Sequence, residues 1–351
     1  MFTLKYVDIG KCEPGQVIGK NIFDDRGVLL ISKNIVLNDY VIKKLSQLGI
    51  TKVPIVNDDL VIDARSRLTP AEQIKISYKK DIEEYKAVIN ALASGEKLDY
   101  ERVDALTRSI YRKIYHNYLL LECLNSLREK DQYTFTHSVN VALYSMLIAK
   151  WLELSEKKIT EVIQAGILHD VGKCKISPEI LNKEGPLLPE EFEEVKNHPI
   201  YSYQMLKDIP HINKKTRVAV LMHHEREDGQ GYPLAVTGDK LSLYTKIVAV
   251  ADVYDALTSE RVYKKRITPF DTFREFEKIG YGQFDVRVML TFLTNIANFY
   301  IGSKVKMNTG EIGEIVFVPP YNISKPVVAL GNKYIDLSKD TSYKIKEMVT
   351  I

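Results

Sequence analysis

His223-His224-Glu225-Arg226-Glu227-Asp228-Gly229-Gln230-Gly231-Tyr232-Pro233 sets two adjacent imidazoles ahead of three carboxylates and a glycine-rich turn. Each imidazole carries two polar nitrogens that burial must satisfy, so neighbouring histidines at the end of a helical stretch point to a special site. A second dense cluster lies upstream, His169-Asp170-Val171-Gly172-Lys173. Asp252 ends the otherwise apolar run Ile247-Val248-Ala249-Val250-Ala251. A carboxylate there is costly to bury unless it is paired or bound to a metal. Of the seven histidines, His137, His169, His198, His223 and His224 are candidate ligands, while His116 and His211 read as ordinary core residues. Imidazoles mixed with carboxylates suit Fe(II), Mn(II) or a related ion better than a structural, cysteine-bound zinc.

Working outward, residues 131–300 are almost wholly helical by pattern. Ser155-Glu156-Lys157-Lys158 opens a helix running to His169, and Pro189-Glu190 opens another through His198. Thr216 to His224, Leu241 to Leu257, a stretch starting at Thr268-Pro269, and Val286 to Tyr300 follow. Residues 70–130 also read as helices. Thr69-Pro70-Ala71-Glu72 is a start signal, with a capping hydroxyl and Pro at the first helical position. Ile82, Tyr85, Val88, Ile89 and Leu92 form one apolar stripe. Val103, Leu106, Ile110, Ile114, Leu121 and Leu124 form a second. These stripes either build a homodimer through residues 70–130 or pack onto the helical domain, residues 131–300, of the same chain.

Residues 1–62 read as a small α/β module. Gly15 to Gly19, Gly27 to Ile31 and Val53 to Val56 suggest strands, and Asn38-Asp39 caps a short amphipathic helix. Residues 301–351 suggest a β-rich C-terminal module, with strands near 303–307, 313–318, 326–330 and 334–337 separated by turn residues. The expected fold class is mainly α, with these two small modules flanking a helical domain.

At 351 residues the chain has room for two or three domains. Its net charge of +3 gives no argument for DNA, RNA or an anionic membrane, so a phosphate-rich ligand must be held by a local site. Cys12, Cys123 and Cys174 lie far apart without Cys-x-x-Cys spacing, which suits a reducing cytoplasm. Cys174, beside Lys173, reads as a small buried hydrophobe. Met1 to Lys5 carries no basic stretch followed by an apolar core, so no signal peptide is expected. No apolar run approaches the roughly 20 residues of a membrane span.

In order and wording the motifs resemble the HD-GYP family, cyclic-di-GMP phosphodiesterases within the HD-domain metallohydrolases. The resemblance covers about half the chain and implies an all-helical HD-type catalytic domain over residues 131–300. It implies that His137, His169, Asp170 and Asp252 hold one divalent ion, Fe or Mn. Asp170, His198, His223 and His224 hold the other, with Asp170 as the bridge. Two ions about 3.5–4 Å apart can hold a bridging hydroxide and clamp the phosphate oxygens of an in-line displacement. Some members use a glutamate four residues before the first histidine for a third ion. Tyr133 stands there in this chain, so a dinuclear site is expected.

The resemblance also supplies substrate contacts. Lys173 matches a lysine that faces the scissile phosphate, and is read with Asp170 as catalytic. Arg261 and Lys264 match positions that bind the phosphates of the cyclic dinucleotide. Asp255 and Asp131 match positions near the site, and Asp255 is expected to orient a ligand or a basic side chain. Gly229 and Gly231 allow backbone conformations closed to other residues. Gly231, Tyr232 and Pro233 then shape the pocket wall, Tyr232 mainly by packing. Glu227, Ser202 and Lys246 depart from the usual aromatic, glycine and arginine. The implied function is hydrolysis of cyclic di-GMP to linear pGpG and GMP. The alternatives are a cyclic-di-GMP sensor or adaptor, against which the full ligand set argues, and a hydrolase of another cyclic dinucleotide.

Overall fold

The computed structural model describes residues 3–24, 27–31, 33, 35, 37–57, 70–115, 120–121, 124, 133–183, 185–258 and 268–349. They divide into two units. Met1–Arg65, Ile267–Phe276 and Phe292–Ile351 form the first, and Ser66–Arg266 with Glu277–Thr291 the second. Asp131, Arg261, Lys264, His116, Cys123 and the side chain of Tyr133 lie outside the described residues.

The first unit combines the N-terminal α/β segment with the C-terminal strands. It contains β1 (Thr3–Asp8), β2 (Ile22–Phe23), β3 (Leu29–Ile31), α1 (Asp39–Gln47) and β4 (Lys52–Asn57). Strands β1 and β4 pair antiparallel, as do β2 and β3. Asn38 caps α1 by accepting from Val41 N at 2.9 Å. Val41 and Leu45, one turn apart, are fully buried. The C-terminal strands β5 (Lys304–Met307), β6 (Ile312–Phe317), β7 (Val327–Leu330), β8 (Lys333–Asp336) and β9 (Ile345–Met348) form one antiparallel sheet in the order β8-β7-β6-β5-β9. Asn38 Nδ2 donates to Val316 O at 2.9 Å, and Tyr40 packs on Phe317 and Tyr334, which joins α1 to this sheet. The run from Gly15 to Gly19 forms no named strand but is tied by backbone bonds, Ile18 N to Ile35 O at 2.8 Å and Leu37 N to Gln16 O at 2.7 Å, and by a bridge from Ile18 to Ile55. Strands β1, β2 and β9 went unanticipated, because β1 and β9 keep most of their side chains at least partly exposed and lack a clean alternation.

The second unit is helical: α2 (Pro70–Ala93), α3 (Tyr100–Arg112), α4 (Tyr133–Trp151), α5 (Glu156–Leu168), α6 (Pro178–Leu181), α7 (Pro189–Val195), α8 (His198–Leu206), α9 (Lys214–Met222) and α10 (Leu243–Thr258). Helices α11 (Pro269–Gln283) and α12 (Val286–Asn298) are divided between the units. Helix α4 is buried nearly all round, from Val139 to Ala149. It crosses α5 at Gly166, where any side chain would strike the backbone of Ala142. Only glycine permits this approach, and it draws His169, one turn further along α5, towards His137.

Both apolar stripes of the 70–130 region are covered by the same chain. Tyr85, Val88 and Leu92 of α2 and Val103, Leu106 and Ile110 of α3 are buried, with α2 packed on α3 and α4, and α3 on α5. Between α2 and α3 lies a buried ion pair, Lys113 Nζ to Asp81 Oδ2 at 2.6 Å, joined by Ser109 Oγ at 2.6 Å. No helix among the described residues is long and apolar enough to cross a membrane.

Candidate metal centre

Five histidines and two aspartates converge where helix ends meet. His137 projects from α4 and Asp252 from α10. His169 and His223 cap the C-termini of α5 and α9, and His198 opens α8. His137, His169, Asp170, His198, His223 and Asp252 are buried, and His224 is partly covered. Two groups have ligand atoms within 4.8 Å of one another: His137, His169 and Asp170, and separately His198, His223 and His224. Asp170 reaches both. Its Oδ2 lies 3.3 Å from His169 Nε2 and 3.7 Å from His137 Nε2, and its Oδ1 lies 3.1 Å from His198 Nε2. Asp252 stands 3.0 Å from His137 Nε2 and 3.6 Å from His224 Nδ1.

The orientation of the rings follows from their other nitrogens. His169 Nδ1 donates to Gly166 O at 2.8 Å, His198 Nδ1 to Val195 O at 2.7 Å, and His223 Nδ1 to Val220 O at 2.7 Å. In each case the acceptor is the carbonyl three residues earlier. His137 Nδ1 meets Asp255 Oδ2 at 2.7 Å. These bonds select the tautomer that leaves Nε2 as a lone pair facing the centre. His198 Nε2 and His223 Nε2 then face one another at 3.2 Å.

The donor set fits divalent cations. His169 Nε2 and Asp170 Oδ1 are buried and make no hydrogen bond. Two orphaned buried acceptors would cost about 1–3 kcal/mol each, and a cation between them removes that cost. The electrostatics agree. Burial, then the neighbouring histidines, holds His223 well below the ordinary imidazole range. Burial pushes His224 down to about 3. Both rings are therefore neutral and ready to ligate. Burial works against ionised Asp170 and Asp252, but His169 and Lys173 outweigh it at Asp170, and His137 and His224 at Asp252, keeping both carboxyls below their usual range. Burial likewise opposes a proton on His137, yet Asp252 and Asp255 on either side push it up to about 10. A cation at Nε2 would replace that proton.

Lys173 lies in the 3₁₀ turn Val171–Lys175, its Nζ 2.6 Å from Asp170 Oδ2. Asp255 is fully buried behind His137 and also accepts from Asn140 Nδ2 at 2.9 Å. Tyr232 stacks on His224 at 4.6 Å, and the Tyr232–Pro233 peptide is cis. Gly229 adopts φ +74°. Gly231 does not take a positive φ. It is required because any side chain there would strike the backbone of His224, Glu225 and Arg226. Outside the centre, His211 is exposed against the ring of Tyr100 (5.1 Å), which corrects its reading as a core residue.

The roles of several supporting residues escaped the sequence reading. Asn140 is a buried amide in an apolar run, and that alone signals a required partner. Ser202 Oγ donates to His169 O at 2.9 Å and accepts from Gly172 N at 2.8 Å, so it pins the Asp170 turn to α8. Glu227 and Lys246, two separate departures in the sequence, form one ion pair at 3.0 Å, and Asp285 faces Lys246 at 3.1 Å. Glu225 is buried and accepts from Leu234, Ala235 and Val236 N at 2.6, 3.1 and 3.1 Å. It thereby holds the loop that follows Pro233, including Ala235 at φ 51°. Glu225→Ala is expected to lower stability by about 2–3 kcal/mol, since charge-assisted bonds are lost from a loop that water partly reaches. Amide exchange at 234–236 should accelerate. Unchanged exchange there would show that the loop is held by other contacts.

A family model described as an HD domain matches residues 122–288. Among curated proteins, the chain is 34% identical over 222 residues to the cyclic di-GMP phosphodiesterase PA4108 of Pseudomonas aeruginosa, covering 63% of this chain and 53% of that protein. It is 38% identical over 184 residues to a cyclic di-GMP phosphodiesterase of Thermotoga maritima (51% and 50%). It is 42% identical over 135 residues to the 3'3'-cGAMP-specific phosphodiesterase 3 of Vibrio cholerae (38% and 29%). The chain thus spans about half the length, or less, of these relatives. The solved structure of Bd1817, an HDG"Y"P protein from Bdellovibrio bacteriovorus, shares the fold. Its TM-score is 0.54 at 17% identity, covering 83% of this chain and 98% of that one. The family match thus identifies an HD domain over residues 122–288, which contains the His-Asp centre, in a chain similar to curated cyclic-dinucleotide phosphodiesterases.

Proposed function

We propose that the chain is a phosphodiesterase that opens cyclic di-GMP to linear pGpG, and on to GMP, at a dinuclear centre of Fe or Mn. The observation that carries this reading is the placement of Asp170, with one carboxylate oxygen towards His137 and His169 and the other towards His198. A carboxylate so placed could serve as a ligand to an ion in either group. His137, His169, Asp170 and Asp252 would hold one, and Asp170, His198, His223 and His224 the other. Such a pair supplies an activated water and clamps the phosphate oxygens. The protein's own groups do the rest. The Nδ1 anchors keep the Nε2 lone pairs aimed inward, and Asp255 fixes His137. Lys173 is the described ammonium nearest the centre, suited to offsetting charge on a phosphate. Arg261 and Lys264 are assigned the remaining phosphate oxygens, for which the planar guanidinium fork is suited. Tyr232, stacked on His224, walls the pocket.

The substrate is named from the relatives. Cyclic di-GMP is favoured because PA4108 and the Thermotoga protein align over more of the chain. A 3'3'-cGAMP substrate is the second reading, because the Vibrio relative has the higher identity over its shorter match. The deciding measurement is anaerobic turnover of both dinucleotides, with chromatographic product identification, on protein loaded with Fe(II) or Mn(II). We expect pGpG or GMP from cyclic di-GMP at a kcat/KM at least tenfold above that for cGAMP. The reverse ratio would select the second reading. Tight binding of cyclic di-GMP without turnover would mark a sensor instead and overturn the enzymatic reading.

A further inference from the structure

Helix α2 reaches the metal centre through a chain of buried polar groups. Tyr78, 1% exposed, donates its hydroxyl to Asn140 Oδ1 at 2.7 Å. Asn140 Nδ2 donates to Asp255 Oδ1 at 2.9 Å, and Asp255 Oδ2 accepts from His137 Nδ1 at 2.7 Å. The chain joins α2, α4 and α10, and each member is buried. We propose that Tyr78 is a positioning residue for His137, and that α2 thereby helps to set the affinity of the centre for its divalent ions. The inference rests on the metal reading above.

Asn140 presents a donor at one end and an acceptor at the other. Asp255, a carboxylate, tolerates only the donor. Asp255 therefore sets which end of Asn140 faces it, and the Tyr78 hydroxyl satisfies the Oδ1 at the other end, which holds the amide in place against Asp255. Without that hydroxyl, Oδ1 is left without this donor in a buried site, and rotating the amide would set it against a like-charged oxygen. Asp255 fully engaged by Asn140 holds the His137 ring in the orientation that directs Nε2 to the centre. Helix α2 also packs against the 3₁₀ turn that carries Lys173, so it borders the site at two places.

The test is Mn(II) affinity of the full chain, read by equilibrium dialysis with the paramagnetic resonance of free Mn(II). Tyr78→Phe keeps the ring and deletes the hydroxyl. It should weaken binding about 5–10-fold, at or below the low end for groups that support a metal ligand. Asn140→Ala reads the same link from its other end and should weaken binding at least as much. Tyr78→Phe with Asn140→Ala should bind no worse than Asn140→Ala alone. Thr107→Val serves as the control for a lost buried hydroxyl. Thr107 Oγ1 bonds Val103 O at 2.7 Å, outside the chain of groups, and its loss should leave Mn(II) affinity unchanged. Tyr78→Phe binding within twofold of wild type would overturn the proposal, as would effects of the two variants that simply add. A wild-type chain that takes up no Mn(II) would instead remove the metal reading on which the proposal rests.

Discussion

Asp170→Ala yields a protein that no longer retains Mn(II) through gel filtration and turns over cyclic dinucleotide at least ~10³-fold more slowly, the upper scale for losing one electrostatic group from an active site. The expectation follows from placement. The two oxygens of Asp170 face separate groups of imidazoles, at 3.1–3.7 Å from three Nε2 atoms, whereas Asp252 reaches two rings, one in each group. Without Asp170, Asp252 would be the one carboxylate left among the proposed ligands to balance two divalent charges in a buried site. Asp170→Asn preserves shape and removes charge, so it separates electrostatics from packing and should fail in the same way. Thermal unfolding supplies a second readout. Mn(II) at ~100 times its dissociation constant should stabilise the wild type by about 2.7 kcal/mol and stabilise neither variant. Full turnover by a metal-free Asp170→Ala protein would refute the mechanism.

The ligands were legible in the sequence because their chemistry leaves local marks. The His169-Asp170 pair, the paired His223 and His224 at a helix end and Asp252 in an apolar run have few bland explanations, while His137 and His198 were assigned through the family resemblance; the structure brings all seven candidates together. The residues behind them were not legible. Nothing in the local pattern says that Tyr78 meets Asn140, 62 positions away. That contact depends on how α2, α4 and α10 cross, and the α4–α5 crossing in turn depends on Gly166 lying against Ala142. Glu227 and Lys246 looked like two separate departures because their pairing is tertiary. The helical domain was read from its 3.6-residue period. By contrast, the joining of α1 to the C-terminal sheet rests on Asn38 and Val316, 278 positions apart, a separation that periodicity cannot register.

The chain's other buried charges predict a different response. Asp81 and Lys113 are 2% and 4% exposed and meet at 2.6 Å between α2 and the segment after α3. Burial pushes the Asp81 carboxyl up, and Lys113 and Ser109 bring it only part of the way back. In the fold, then, Asp81 takes a proton at higher pH than in the unfolded chain. Its contribution to stability is full below its unfolded pKa and is lost as pH rises through the folded one. At neutral pH the ion pair holds two desolvated charges whose attraction does not fully repay their burial. Asp81→Asn leaves the buried Lys113 ammonium without its countercharge and should destabilise the protein by about 3–5 kcal/mol at neutral pH. Replacing both, Asp81→Leu with Lys113→Met, should restore or exceed wild-type stability. The double variant should also lose the stabilising contribution that Asp81 makes on acidification. Urea titrations at neutral and acid pH distinguish these outcomes. A double variant as unstable as Asp81→Asn would mean that the pair is a net source of stability, and that Ser109 and the surrounding helices compensate its desolvation more fully than the burial of Asp81 implies.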